Sequence, residues 1–204
     1  QNEVVGFDPE IGREIAKRLG LKVEIVTTQW AGILAGLLAE KYDAIVGSMT
    51  ITEKRKNVVD FVGPYYRLNR SVFVKDDSTI NSKADLNGKT VSASLGETHV
   101  AWIKEHKNWK LKTHKGLTEL LLDLETGRVD AIVNDDVPVL IAIKKNNLKV
   151  KQISIPNMAA LTAGIAIRKG NSELQKAMQK ALMEMQEDGT YTKIAEKWIG
   201  SDIR

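Results

Sequence analysis

A chain of 204 residues, 43% hydrophobic and 27% charged, has the make-up of one large folded domain or two small lobes, which excludes intrinsic disorder. It contains no cysteine, which removes thiol catalysis, cysteine-bound zinc and disulfides; a chain this long builds a sufficient core without such staples. The net charge of +4 is spread through the sequence with no basic stripe interleaved with aromatics, so nucleic-acid binding is not indicated.

Taken in order, the chain opens on Gln1-Asn2-Glu3, without the basic start and apolar core of a signal segment. A secreted protein whose signal has been removed would read this way, and so would a cytosolic one. Asp8 is expected to cap a first helix with Pro9 in its opening turn; Ile11, Ile15 and Leu19 follow at helical spacing and Gly20 ends it. Leu21, Val23 and Ile25 alternate with Lys22 and Glu24, the pattern of a strand with one wet face. A helix from about Ala31 to Glu40 contains the longest apolar-and-glycine run, Ala31 to Ala39, which is about half the length a membrane span requires. Strand Asp43 to Val46 comes next, and another helix starts near Thr52. Further on, the expected elements are a strand at Thr90 to Ser94, a helix at Thr98 to His106, a strand at Lys110 to His114, a helix at Leu117 to Thr126 and a strand at Val129 to Asn134. Leu148 to Ile153 and Thr162 to Arg168 read as strands, and helices at Ser172 to Glu187 and Thr190 to Ile199 close the chain. This alternation predicts an α/β fold with mostly parallel sheets. Asp43-Ala44-Ile45-Val46 recurs as Asp130-Ala131-Ile132-Val133, each copy after a leucine-rich helix and before a polar exit, which suggests a duplicated architecture.

In open α/β sheets ligands lie at the carboxyl ends of strands. That rule selects Gly47, Ser48 and Thr50 with Arg55 after one strand, Ser94, Glu97 and Thr98 after another, and Asn134 and Asp135 after a third. Together they supply hydroxyls, backbone N–H groups, a guanidinium and a carboxylate, the set that an α-amino acid zwitterion needs. Blander readings exist for each. Arg55 lies in the charge run Glu53-Lys54-Arg55-Lys56, Thr50 and Glu53 fit a capping box, Asp135 and Asp136 are both candidate caps, and Trp30 suits a core. Glu97 is the one candidate general acid, or else a first-turn partner of a helix dipole. His99 and His106 could share a helix face but have no acidic residue between them at metal-ligand spacing, and no phosphate loop or nucleophile elbow is present, so no metal and no cofactor are implied.

Gly6-Phe7-Asp8, Tyr42-Asp43-Ala44-Ile45, Ser48-Met49-Thr50-Ile51-Thr52-Glu53-Lys54-Arg55, Asp60-Phe61 and Pro64-Tyr65-Tyr66 together resemble the polar amino-acid solute-binding proteins of ABC transporters. Leu86-Asn87-Gly88-Lys89, Gly127-Arg128-Val129-Asp130-Ala131 and Asp188-Gly189-Thr190-Tyr191 through Lys197-Trp198 extend the likeness over essentially the whole chain. The resemblance implies a two-lobed type II periplasmic-binding fold that closes on its ligand. Lobe one would be residues 1–67 with 163–204 and lobe two residues 68–162, with hinges near Arg67 to Asn69 and Leu161 to Thr162. It implies carboxylate binding by Arg55 with help from Thr50 and Thr98, ammonium binding by Asp135 and a backbone carbonyl near Gly47 or Ser48, and a platform at Trp30. It also implies a periplasmic or lipid-anchored extracellular location and a membrane permease as partner.

Two departures stand out. The family carries a longer stretch before Gly6-Phe7-Asp8, holding the first strand of lobe one, whose absence would leave backbone groups unpaired. The chain is expected either to be truncated or to take that strand from another molecule, and otherwise to be a monomer. Glu97 stands where the family has a small or hydroxyl residue, which with Asp8 and Asn134 bears on selectivity for a cationic side chain. Competing functions on the same scaffold are a cyclohexadienyl-dehydratase-like enzyme with Glu97 as proton donor, and the ligand-binding ectodomain of a membrane receptor.

Overall fold

Residues 3–156, 158 and 160–204 are described by the computed structural model. Helices α1 (Phe7–Arg18) and α2 (Trp30–Leu38) precede strand β1 (Ala44–Thr50), the short helix α3 (Glu53–Lys56) and the long strand β2 (Val59–Lys75). A 3-10 turn (Ala84–Leu86) leads to β3 (Thr90–Ser94), α4 (Thr98–Lys104), β4 (Lys110–His114), α5 (Leu117–Glu125), β5 (Ala131–Asp135) and α6 (Asp136–Asn146). Strands β6 (Val150–Ile153) and β7 (Ala160–Arg168) and helices α7 (Ser172–Glu187) and α8 (Thr190–Trp198) complete the order. The chain divides into two compact units, one of residues 1–27, 34–68 and 161–204, the other of residues 28–33 and 69–160.

In the first unit β1 pairs with β7 antiparallel, and α1 packs on β1 and on the two C-terminal helices. Its interior is aromatic: Phe7 meets Tyr66 edge-on at 5.4 Å, Tyr65 and Tyr66 meet edge-on at 4.6 Å, and all three are buried with Tyr191. The β1–β7 register jumps between Ile45 and Met49: Ile45 faces Ala166 while Met49 faces Gly164. Four steps along β1 therefore match two along β7, a bulge that takes Val46, Gly47 and Ser48 out of the ladder.

The second unit carries a mixed sheet in which β5 and β6 pair antiparallel with β2, and β3 pairs parallel with both β4 and β5. Alternation along each strand fills both faces. Val72, Val74, Val91, Ala93, Ala131 and Val133 pack with Leu86 and Ile103 on one side. Phe73 and Ile132 pack with Leu120, Leu124 and Val139 on the other. The two Asp-Ala-Ile-Val copies become β1 and β5, each following a helix, α2 or α5.

Several expectations are corrected. The sheets are mixed, because the long β2 and β7 run back against their neighbours. Leu21 to Ile25 forms no strand, and Leu21, Val23 and Val26 are exposed. Alternation supplies a face but not a hydrogen-bonding neighbour, and among the described residues that segment has no ladder. The cap of α1 is Gly6; Asp8 lies inside the helix with its side chain committed elsewhere. Thr52, and not Thr50, caps α3, its hydroxyl accepting from Arg55 N–H at 3.2 Å. Helix α6, which the sequence does not announce, begins directly after β5.

Candidate functional site

In the first unit the strand-exit residues fall into two linked groups. Ser48 sits in the bulge at φ 60°, a left-handed conformation that a serine adopts only when its surroundings enforce it. Its N–H donates to the Tyr65 hydroxyl at 3.1 Å, its own hydroxyl donates to Asp8 at 3.3 Å, and the Tyr66 hydroxyl donates to Ser48 Oγ. Tyr65 in turn donates to the other Asp8 oxygen at 2.6 Å. The aromatic interior thus fixes two hydroxyls that hold the bulge, and Gly47 beside it has nothing in the space a side chain would fill. The second group is Thr50 and Arg55. Of the run Glu53-Lys54-Arg55-Lys56 only Arg55 is buried, at 9% exposure, and its Nη1 donates to the Thr50 carbonyl at 2.7 Å. The solvated-face reading of that run fails at this residue.

Asp8 is only part-buried as a residue, yet burial of its carboxyl group pushes it up to about 6 against the opposing pull of the Tyr65 and Ser48 hydrogen bonds. A carboxyl whose folded value is raised binds a proton more tightly in the native state, so its contribution to stability is present below about pH 4 and is lost as the pH rises through 6. The shift corresponds to roughly 2–3 kcal/mol. Asp8→Asn keeps an acceptor for Tyr65 without the charge. It is expected to match or exceed the parent's urea midpoint at pH 7 and to abolish the decline between pH 4 and 6; a midpoint that still falls over that interval would place the titration on another group.

The second unit gathers its predicted residues more tightly. Strands β3 and β5 run parallel and end at the same sheet edge, with Ser94 closing one and Asn134-Asp135 closing the other. Glu97 and Thr98 begin α4 just beyond Ser94. Asn134 Nδ2 lies 3.3 Å from each Glu97 oxygen. His99, fully buried, lies with Nε2 at 3.3 Å from Asp135 Oδ1 and 3.9 Å from Glu97 Oε2, while Arg70 Nε donates to its Nδ1 at 3.2 Å. Burial, reinforced by the Asp135 charge and opposed by His99, raises the Glu97 carboxyl to about 7. Burial also lowers Arg70, whose guanidinium packs 5.4 Å from the centre of the Trp102 ring.

Neither Asp135 nor Glu97 caps a helix with its side chain, although each occupies a capping position; Asp136 instead accepts from Asn69 and Val137. The oxygens Thr98 Oγ1 and Asp135 Oδ1 are buried without a hydrogen-bond partner, while the buried Ser94 side chain turns to the Glu97 carboxyl. Trp30 opens α2, where the Ala31 N–H donates to the Lys115 carbonyl at 3.0 Å, within the same unit. Sequence reasoning does not single out His99, Arg70 or Tyr65 as site residues. The Pro64-Tyr65-Tyr66 motif points to the last, whereas nothing in the spacing joins Arg70 to His99.

The family model of bacterial extracellular solute-binding proteins, family 3, matches residues 1–201. The L-cystine-binding protein TcyJ of Escherichia coli strain K12 is 33% identical over 204 residues, spanning 98% of this chain and 76% of that relative. Among solved structures, an ancestral arginine-binding protein bound to glutamine superposes with a TM-score of 0.90 at 41% identity, covering 98% of this chain and 90% of that one. The arginine-, lysine-, histidine-binding protein ArtJ from Geobacillus stearothermophilus gives a TM-score of 0.88 at 30% identity, covering 100% of this chain and 90% of that one. A match over nearly the full length, joined to the two-unit α/β fold and the polar strand exits, means that this chain belongs to the bacterial extracellular solute-binding proteins of family 3.

Proposed function

We propose that this protein captures a polar α-amino acid outside the cytoplasmic membrane and delivers it to the permease of an ABC transporter, acting as a monomeric binding protein and not as an enzyme. The observation that carries this reading is the pair of buried, unpartnered oxygens, Thr98 Oγ1 and Asp135 Oδ1. A buried acceptor without a donor costs about 1–3 kcal/mol, and a ligand ammonium brings three N–H donors and the charge that Asp135 wants. Arg55 is assigned the ligand carboxylate: its planar fork is buried and one arm is anchored to Thr50. The bulge at Gly47 and Ser48, where backbone groups leave the ladder, is assigned the carbonyl contact, and Trp30 the platform. The location that goes with this reading is periplasmic or lipid-anchored extracellular; among the described residues no helix is long and apolar enough to cross a membrane.

A thermal-shift screen of the twenty amino acids and L-cystine tests the reading. A ligand at 100 times its Kd adds about 2.7 kcal/mol to stability, which raises the melting temperature by several degrees. A flat response across the whole panel would overturn the assignment. The dehydratase alternative predicts instead the appearance of an aromatic product from a cyclohexadienyl acid, read by ultraviolet absorbance.

A further inference from the structure

Glu97 is a largely enclosed acid, its side chain 12% exposed, for which a single ammonium partner of Asp135 leaves no evident use. Its side chain makes no helix-cap hydrogen bond, although its backbone has the geometry of a cap. Its neighbours instead form a chain of fixed polarity. Arg70 can only donate, so the His99 Nδ1 that meets it accepts, and the ring's proton is on Nε2, facing both Asp135 Oδ1 and Glu97 Oε2. That N–H faces both carboxylates and makes a hydrogen bond to neither Asp135 Oδ1 at 3.3 Å nor Glu97 Oε2 at 3.9 Å. The charged and titratable groups about Glu97 are Asp135 from β5, His99 from α4 and, behind the ring, Arg70 from β2, whose charge also interacts with Glu105 beyond the end of α4. Asn134 offers a neutral amide, and the fully buried Ser94 supplies side-chain and backbone hydrogen bonds to the Glu97 carboxyl. Two acids thus flank one imidazole N–H, and Arg70, whose charge interacts with Asp135, stands behind the ring, so the site is short of positive charge until a ligand supplies it.

We propose that Glu97 is a proton-coupled member of the ammonium site: it holds a proton while the site is empty and releases it to solvent when a cationic ligand group is seated beside Asp135. The exchange balances one for one, with the carboxylic acid and the free cation giving the carboxylate–cation pair and a proton. Burial that raises the Glu97 carboxyl to about 7 puts the exchange in the neutral range. This inference rests on the functional reading above. Its consequence is that affinity weakens by up to about tenfold per pH unit below neutrality and levels off above pH 8, by linkage between ligand and proton.

The test has two arms. Carbon-13 NMR of the carboxyl groups in the ligand-free protein should show Glu97 titrating near neutral, well apart from the exposed glutamates. Titrating together with them overturns the inference whatever binds. Calorimetry is then run at pH 6.5 in phosphate and in imidazole, with L-arginine or the amino acid that gives the largest melting shift as probe. It should show more than half a proton released per ligand, lost in Glu97→Gln, whose affinity no longer varies between pH 6 and 8. Binding without release, or release that survives in Glu97→Gln, overturns this inference alone. Absence of binding by every amino acid overturns the functional reading and this inference with it.

Discussion

Arg55→Ala is expected to weaken amino-acid binding by about 3–5 kcal/mol, a rise in Kd of roughly two to nearly four orders of magnitude. The size comes from burial. At 9% exposure the guanidinium works where water screens little, and a ligand carboxylate enclosed without it is a buried charge with no partner. Arg55→Lys separates charge from shape. It keeps the positive charge but gives up the planar pair of donors, so a loss of at least tenfold is expected from it as well. Part of the effect of either change is structural, since the Thr50 carbonyl loses its 2.7 Å donor. Melting temperatures of the free variants measure that part, about 1 kcal/mol for one hydrogen bond, and calorimetry measures the rest. Unchanged affinity in Arg55→Ala would remove this residue from the site.

Asp135→Ala is the counterpart in the second unit, and the expected outcome splits between two observables. Affinity should fall at least 100-fold, because the charge-assisted bonds to the ammonium, each about 1.5–3 kcal/mol, are lost together. The ligand-free protein should nevertheless be as stable as the parent or more so. Asp135 Oδ1 is buried without a hydrogen-bond partner, so its removal breaks no hydrogen bond at that atom. Sites that hold unpaired polar groups ready for a ligand trade folding stability for function. A variant that binds as well as the parent would refute the ammonium assignment; one that binds poorly and is also badly destabilised would make Asp135 a structural acid.

Much of this fold can be read along the chain, because most of its elements announce themselves locally. Ile11 and Ile15 at helical spacing, Leu174, Met178, Leu182 and Met185 on one stripe, and the twin Asp-Ala-Ile-Val strands each carry their own periodicity. Helix α6 does not. Its apolar residues surround the axis, only Val137 and Val139 are buried among them, and Pro138 reads as a breaker although it is tolerated in a first turn. The opposite error occurs at Leu21 to Ile25, whose alternation is strand-like but whose ladder partner no local pattern can guarantee. Capping residues are misread for a related reason. Asp8 and Thr50 have the right chemistry near the right helices, but Asp8 is claimed by Tyr65, 57 residues away, and Thr50 by its own strand. The candidate site divides the same way. Arg55, Thr50 and Asp135 emerge from strand exits and from the family motif, whereas the Arg70–His99–Asp135 chain joins three separate elements and is invisible before they are folded together.

The bulge in β1 has a consequence for how this protein tolerates change. Between Ile45 and Met49 the strand spends four steps where β7 spends two, and the surplus sets the phase of the residues beyond it. Removing a single residue there would not merely alter one side chain: it would turn Met49 and Thr50 to opposite faces and swing the start of α3, with Arg55 on it, out of alignment. The stretch is a spacer fixed in length as well as at Ser48, closed to insertion and deletion.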